Sequence, residues 1–256
     1  MPCANSIWIK QPLACFTAGD GNADGGLIVR DGRIAQLLGP GEKPTEPVKE
    51  TFDASDHVLI PGLINTHHHF YQTLTRALPC ALDKELFDWL KSLYPVWAGL
   101  TPDMLYSATQ IALAELLLSG CTTAADHHYL FPTGMEEAID IQVEAREQIG
   151  SRVTLTRGSM SLGEDDGGLP PQSTVQDERI ILRDSERLVR HYHERGEGAF
   201  VQIALAPCSP FSVSEALMRD SAALASELDV QLHTHLAEPL DAEAFCLERF
   251  GCRTVD

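Results

Sequence analysis

Positive charge is scarce in this sequence: 19 lysines and arginines stand against 37 aspartates and glutamates, a formal net charge of −18 over 256 residues. So acidic a chain repels phosphate backbones, which excludes nucleic acid as a partner while leaving a base or nucleoside open as a substrate. Long apolar runs are also missing. The longest, Ile111–Leu118, is interrupted by Glu115 and is far too short to span a bilayer, so no membrane partner is expected. Met1–Asn5 carries no basic region ahead of an apolar stretch, and no secretory signal is expected. The seven cysteines are odd in number and form no Cys-x-x-Cys pair, which points to reduced thiols and a cytoplasmic location. At 44% hydrophobic and 22% charged, the composition is that of a folded globular protein.

Histidine is what the sequence has in clusters: His67-His68-His69, His127-His128 and His233-Thr234-His235. Their setting follows from the chain's periodicity. Leu27–Arg30 and Arg33–Leu38 flank Asp31-Gly32, a hairpin signature. From His57 onward, short apolar strands alternate with longer helical segments. The strands are read at Val58–Ile64, Thr122–Asp126, Arg152–Thr156, Phe200–Ala206 and Val230–Leu236. The helices are read at Leu86–Leu100, Thr101–Gly120, Glu136–Ile149, Val175–Arg195 and Ser214–Leu228, with a last one starting near Asp241. Such βα units predict a parallel sheet with helices outside it. His67/His69, Asp126/His127, Arg157, Cys208 and His235/Glu238 all fall at or just past the C-terminal end of a different strand. In a (β/α)₈ barrel those ends converge on one face, whereas a doubly wound sheet favours a glycine-rich first turn that is absent here. The expected fold is therefore α/β: residues 58–256 as the first five units of a TIM barrel, with residues 1–57 as a β domain before it. Eight units at this spacing need roughly 340 residues, so the chain is expected to be the N-terminal portion of a longer protein.

His67-x-His69 is the strongest local signal. Side chains at i and i+2 share one face of a strand, so two imidazoles can meet on one metal while His68 points away. His235 is the better third ligand. His233 has the same parity but lies deeper, which favours a hydrogen-bonded core histidine. Glu238, one turn past His235, is placed to move a proton between a metal-activated water and a leaving group, the alternative being a plain surface acid. Imidazoles suit zinc, iron and related ions without selecting among them. Asp126 is a candidate anionic ligand on parity alone, which units beyond this sequence could supply instead. A deaminase of the H-x-E and P-C-x-x-C design is excluded, because Pro207-Cys208 has no second cysteine at the required spacing.

Leu59-Ile60-Pro61-Gly62-Leu63-Ile64-Asn65-Thr66-His67-His68-His69 resembles the opening of the amidohydrolase superfamily. Phe70–Arg76, Asp88-Trp89-Leu90 and Gly120-Cys121-Thr122-Thr123 are similar to its aminohydrolase branch for purines and triazines. The resemblance implies a metal-dependent barrel beside a small β-sandwich built from both termini, of which residues 1–57 would be the first part. It makes His67, His69 and His235 ligands of one divalent ion, zinc or iron, and Glu238 the catalytic proton shuttle. It also expects a histidine after strand six and a metal-binding aspartate after strand eight, which demotes Asp126. Neither position falls within this sequence, so an inactive, metal-poor fragment is the competing reading. The implied partner is a small heterocycle, with a homo-oligomer only by analogy.

The resemblance also carries over substrate contacts. Gln72 matches a position that holds the heterocycle, or is a surface amide. Trp89 stacks on a flat ring, or packs in the core. Arg157 matches a substrate-binding arginine, or pairs with Asp165 or Asp166. Cys208 stands where nucleoside deaminases of the branch hold a histidine, and Leu169 where they hold an arginine; losing two groups that reach for ribose points to a free base. Cys208 either lines that pocket or is a small buried residue. The implied activity is hydrolytic deamination of a purine base, 8-oxoguanine to urate and ammonia. Guanine deamination and release of an N-alkylamine from a hydroxytriazine are the alternatives.

Overall fold

The computed structural model describes residues 5–17, 19 and 21–255; Met1–Ala4 of the leader reading, Cys3 included, lie outside the described residues. The chain divides into two compact units, the first reaching Leu63 and the second starting at Ile64.

The first unit is all β. Its strands are β1 (Ser6–Lys10), β2 (Ala14–Cys15), β3 (Gly26–Arg30), β4 (Arg33–Leu38), β5 (Glu50–Asp53) and β6 (Val58–Leu59). They form a four-stranded sheet in the order β4-β3-β1-β5 and a separate parallel pair of β2 with β6. The β3–β4 hairpin turns where the sequence predicts it. Asp31 at φ 49° and Gly32 at φ 76° both adopt the left-handed backbone that a two-residue hairpin turn requires.

The second unit alternates strand and helix: β7 (Leu63–His68), α1 (Leu86–Trp97), α2 (Pro102–Leu118), β8 (Cys121–Asp126), α3 (Ala138–Ile149), β9 (Arg152–Ser159), α4 (Glu178–Tyr192), β10 (Val201–Pro207), α5 (Glu215–Leu228) and α6 (Leu240–Phe250). One sheet runs β10-β9-β8-β7, with β8, β9 and β10 paired in parallel. Helix α2 packs on β8, α3 on β9, and α4 and α5 on β10. The α/β class expected from the sequence is what the chain adopts. Three of these helices are capped by a side chain: Thr101 accepts from the Met104 amide, Asp177 from Arg179 and Ile180, and Ser214 from Leu217.

Two strands differ from expectation. The first breaks at Ile60–Gly62 into β6 and β7, because Pro61 offers no amide to a ladder. As a result β7 runs into His67 and His68 themselves. The fifth, Val230–Leu236, forms no strand; only a single bridge pairs Leu232 with Leu205. It nevertheless tracks β10 through three main-chain bonds, Leu205 N to Gln231 O, His233 N to Leu205 O and His235 N to Cys208 O. With a neighbour on one side only among the described residues, it is fixed in place without completing a ladder.

The centre of the sheet is dry, with Val153, Leu155, Ile203 and Leu205 buried. Burying each such side chain stabilises the fold by about 1.5–3 kcal/mol. Close approach matters as much at Gly158. A Cβ built there lies 2.1 Å from the His128 carbonyl oxygen, while the Gly158 amide donates to that same oxygen at 2.8 Å. The segment His127–Tyr129 therefore sits where it does because residue 158 has no side chain. Gly158→Ala is expected to destabilise the fold by about 1–3 kcal/mol or more in urea unfolding, and an unchanged midpoint would contradict this contact.

Candidate metal centre

The end of β7, the segment after β8, the residue after β10 and the segment after α5 deliver the histidines and Cys208 to one place. His67 Nε2 lies 3.2 Å from His69 Nε2, and His69 Nε2 lies 3.3 Å from His235 Nε2. One ligand atom from each of the three falls within 4.8 Å of the others. Tetrahedral zinc with Zn–N bonds of about 2.0–2.1 Å separates its nitrogens by about 3.3 Å, so this spacing suits a shared ion.

The outer nitrogens settle which ring atoms face inward. His69 Nδ1 lies 2.6 Å from the His127 carbonyl oxygen, and His235 Nδ1 lies 2.9 Å from the Cys208 carbonyl oxygen. A carbonyl only accepts, so both Nδ1 atoms carry the proton and both Nε2 atoms present lone pairs. Two lone pairs facing each other at 3.3 Å share no proton, and a cation between them removes the conflict. The rings are also neutral, as ligands must be. Burial drives His69 down to about 3 and His235 to about 4, and it lowers His67 as well. His67 Nδ1 faces His233 Nε2 at 3.0 Å.

Six of the eight predicted site residues, His69, Gln72, Trp89, Cys208, His235 and Glu238, line one cavity of about 150 Å³ together with Tyr94, Tyr129 and Phe211. His67 borders a neighbouring cavity of about 430 Å³ that shares His69, Gln72 and Trp89 with the first. Gln72 sits on a 3₁₀ turn, Phe70–Thr75, directly after the histidines. Trp89 lies in the first turn of α1, with its ring edge-on to Trp97 at 5.3 Å. Desolvation raises the Glu238 carboxyl above the usual range.

Arg157 departs from expectation, whereas Asp126 and Cys208 fall where the sequence reading allowed. Arg157 does not reach the cavity. β9 continues to Ser159 because Pro207 of β10 pairs with it, so Arg157 lies inside a strand instead of ending one. Its guanidinium is fully buried, 3.8 Å from the Phe131 ring centroid, and its Nε bonds Asp184 of α4 at 2.7 Å. The partner is thus neither Asp165 nor Asp166. Asp126 is no ligand: Oδ1 accepts from the Phe70 amide at 2.6 Å and Oδ2 from Gln142 Nε2 at 2.5 Å, while burial pushes its carboxyl up to about 7. It ties the residue after His69 to β8. Cys208 is buried on the cavity wall with its thiol pushed up to about 12, so it stays protonated. Its carbonyl, an atom that every residue type possesses, is what holds His235.

Residues 58–256 match the model of the amidohydrolase family, and the chain belongs to that family. It is 66% identical to 8-oxoguanine deaminase of Pseudomonas aeruginosa, over 97% of this chain and 56% of that protein. It is 36% identical to hydroxydechloroatrazine ethylaminohydrolase of Pseudomonas sp. strain ADP, over 90% of this chain and 50% of that protein. Among solved structures, atrazine chlorohydrolase of Arthrobacter aurescens TC1 complexed with zinc superposes with a TM-score of 0.86 at 29% identity, over 97% of this chain and 56% of that one. The chain spans about half the length of the curated relatives it matches.

Two outcomes separate these assignments. Cys208→Ala keeps zinc affinity within a few-fold in a chelator competition, because the carbonyl that holds His235 survives; a large loss would make the sulfur a ligand. Arg157→Met removes one of the two arginines paired with Asp184, leaving Arg187, and costs about 1.5–3 kcal/mol in urea unfolding; a cost near zero would contradict the buried pair.

Proposed function

We propose that this protein is a metal-dependent hydrolase of C–N bonds in cyclic amidines that deaminates a free purine base, with 8-oxoguanine giving urate and ammonia as its preferred reaction. The observation that carries the reading is the shared cavity, where Glu238, Gln72 and Trp89 line the same space as two of the three convergent imidazoles. The 66% identity to 8-oxoguanine deaminase favours this substrate over a triazine.

His67, His69 and His235 would hold one divalent ion, with zinc favoured by the zinc-complexed relative. That ion, when bound, supplies acidity to a water molecule. Glu238 takes the proton from the attacking water and delivers it to the departing ring substituent, which leaves as ammonia. Its raised carboxyl brings proton affinity closer to what transfer near neutral pH needs. Gln72 both donates to and accepts from a purine edge, and Trp89 offers the ring a flat face. The neutral Cys208 thiol leaves this wall without a cation, which suits a base lacking a charged sugar substituent.

For the architecture, we propose that residues 58–256 form the first five units of a (β/α)₈ barrel and residues 1–57 part of a small β-sandwich. The sequential order β7-β8-β9-β10 and the course of residues 230–236 along β10 support the first part of this reading. No helix among the described residues is long and apolar enough to cross a membrane. The six cysteines among them are free, which supports a cytoplasmic location.

The test is ammonia release from 8-oxoguanine, guanine and hydroxyatrazine by the zinc-loaded protein. Turnover is expected with 8-oxoguanine, and Glu238→Gln lowers kcat by about 10²–10⁴-fold with zinc content unchanged. Alkylamine release from hydroxyatrazine with no ammonia from 8-oxoguanine would overturn the substrate assignment.

A further inference from the structure

The backbone determines the tautomer of two ligand imidazoles and leaves the third undecided. His69 and His235 each donate Nδ1–H to a carbonyl, of His127 and Cys208 respectively, so their Nε2 lone pairs are committed. Among the described residues, His67 has no such carbonyl contact. Its Nδ1 lies 3.0 Å from His233 Nε2, and its Nε2 lies 3.2 Å from His69 Nε2. Two arrangements satisfy these distances. In one, His67 carries its proton on Nε2, donates to His69 and cannot bind a metal with that atom. In the other, His67 carries it on Nδ1, donates to His233 and presents Nε2 to the shared point. Which one holds depends on whether His233 accepts.

His127 is also near, with a ring nitrogen within 4.8 Å of those of His67 and His233 but outside hydrogen-bond distance. His127 is buried with its ring stacked on His235 at a centroid separation of 4.1 Å, and neither of its ring nitrogens has a hydrogen-bond partner. His233 is the side chain in reach of His67 Nδ1, and its own position is fixed independently, since its amide donates to the Leu205 carbonyl oxygen at 2.8 Å. We propose that His233 is the positioning residue of this centre: its Nε2 accepts the His67 Nδ1 proton and so turns the His67 Nε2 lone pair toward those of His69 and His235.

The inference rests on the reading of His67, His69 and His235 as metal ligands. It makes the Thr234-spaced pair a functional unit, one histidine ligating and the other aiming a ligand on a different strand. Partners of this kind change metal affinity by about 10–100-fold when removed.

The experiment is zinc affinity by competition with a chromophoric chelator, with the visible spectrum of the cobalt(II)-substituted protein as a second readout. His233→Phe keeps the ring's bulk and removes the acceptor; it is expected to weaken zinc binding about 10–100-fold and to alter the cobalt bands. His233→Gln restores an acceptor and is expected to stay within a few-fold of wild type. Urea midpoints of the metal-free proteins identify any variant that fails to fold, and if His233→Phe does so, His233→Ala takes its place as the acceptor-free variant with the same expected loss. Equal zinc affinity in wild type and His233→Phe overturns it, and so does an equal loss in the Phe and Gln variants. His69→Ala separates the two levels. If that variant binds zinc as tightly as wild type, the ligand triad itself is wrong and the role of His233 falls with it.

Discussion

Two imidazole lone pairs, on His69 Nε2 and His235 Nε2, face each other 3.3 Å apart with no proton to share. Acceptors opposed at this distance repel each other, and both rings are half-buried, which limits relief by water. The conflict is built in from behind, since each ring donates its Nδ1 proton to a main-chain carbonyl that cannot move without shifting a strand end. Much of the second unit serves to place those two carbonyls. Gly158 allows the segment after β8 to lie against β9, which positions the His127 oxygen. The course of residues 230–236 along β10 positions His235 against Cys208. Asp126 fastens the chain just after His69. A cation at the shared point would relieve this opposition, so metal binding and local stability are expected to be coupled.

The surrounding wall follows a different rule. Where the histidines need fixed geometry, the cavity needs neutrality and shape. Tyr94, Tyr129, Phe211 and Trp89 supply apolar surface with a few polar tips, and Cys208 remains a thiol. Glu238 is the charged group on this wall, and its raised carboxyl reflects that setting. The buried ion pair near the sheet, Arg157 with Asp184, belongs to the strand–helix packing and stays out of the cavity.

What the sequence made legible was local. The Asp31-Gly32 turn, the helix starts near Thr101 and Ser214, and the His67-x-His69 spacing each depend on neighbours within a few residues, and the structure has them where they were expected. What it did not make legible depended on pairing across the sheet. Arg157 looks like a strand-end residue until β10 extends β9 by two positions and commits its side chain to α4. Val230–Leu236 has the composition of a strand but too few partners to form one. The carbonyls of His127 and Cys208 carry no sequence signature at all, since every residue type has one. His233 was visible as a histidine of the right parity; that it faces His67 required the fold.

X-ray absorption at the zinc edge of the loaded protein tests the central claim most directly. The account predicts nitrogen scatterers at about 2.0–2.1 Å with the outer-shell pattern of imidazole rings, and no sulfur at about 2.3 Å. A sulfur contribution would bring the Cys208 side chain into the ligand set. A shell without imidazole would remove the three histidines from it, and either result would contradict the arrangement of donors described above.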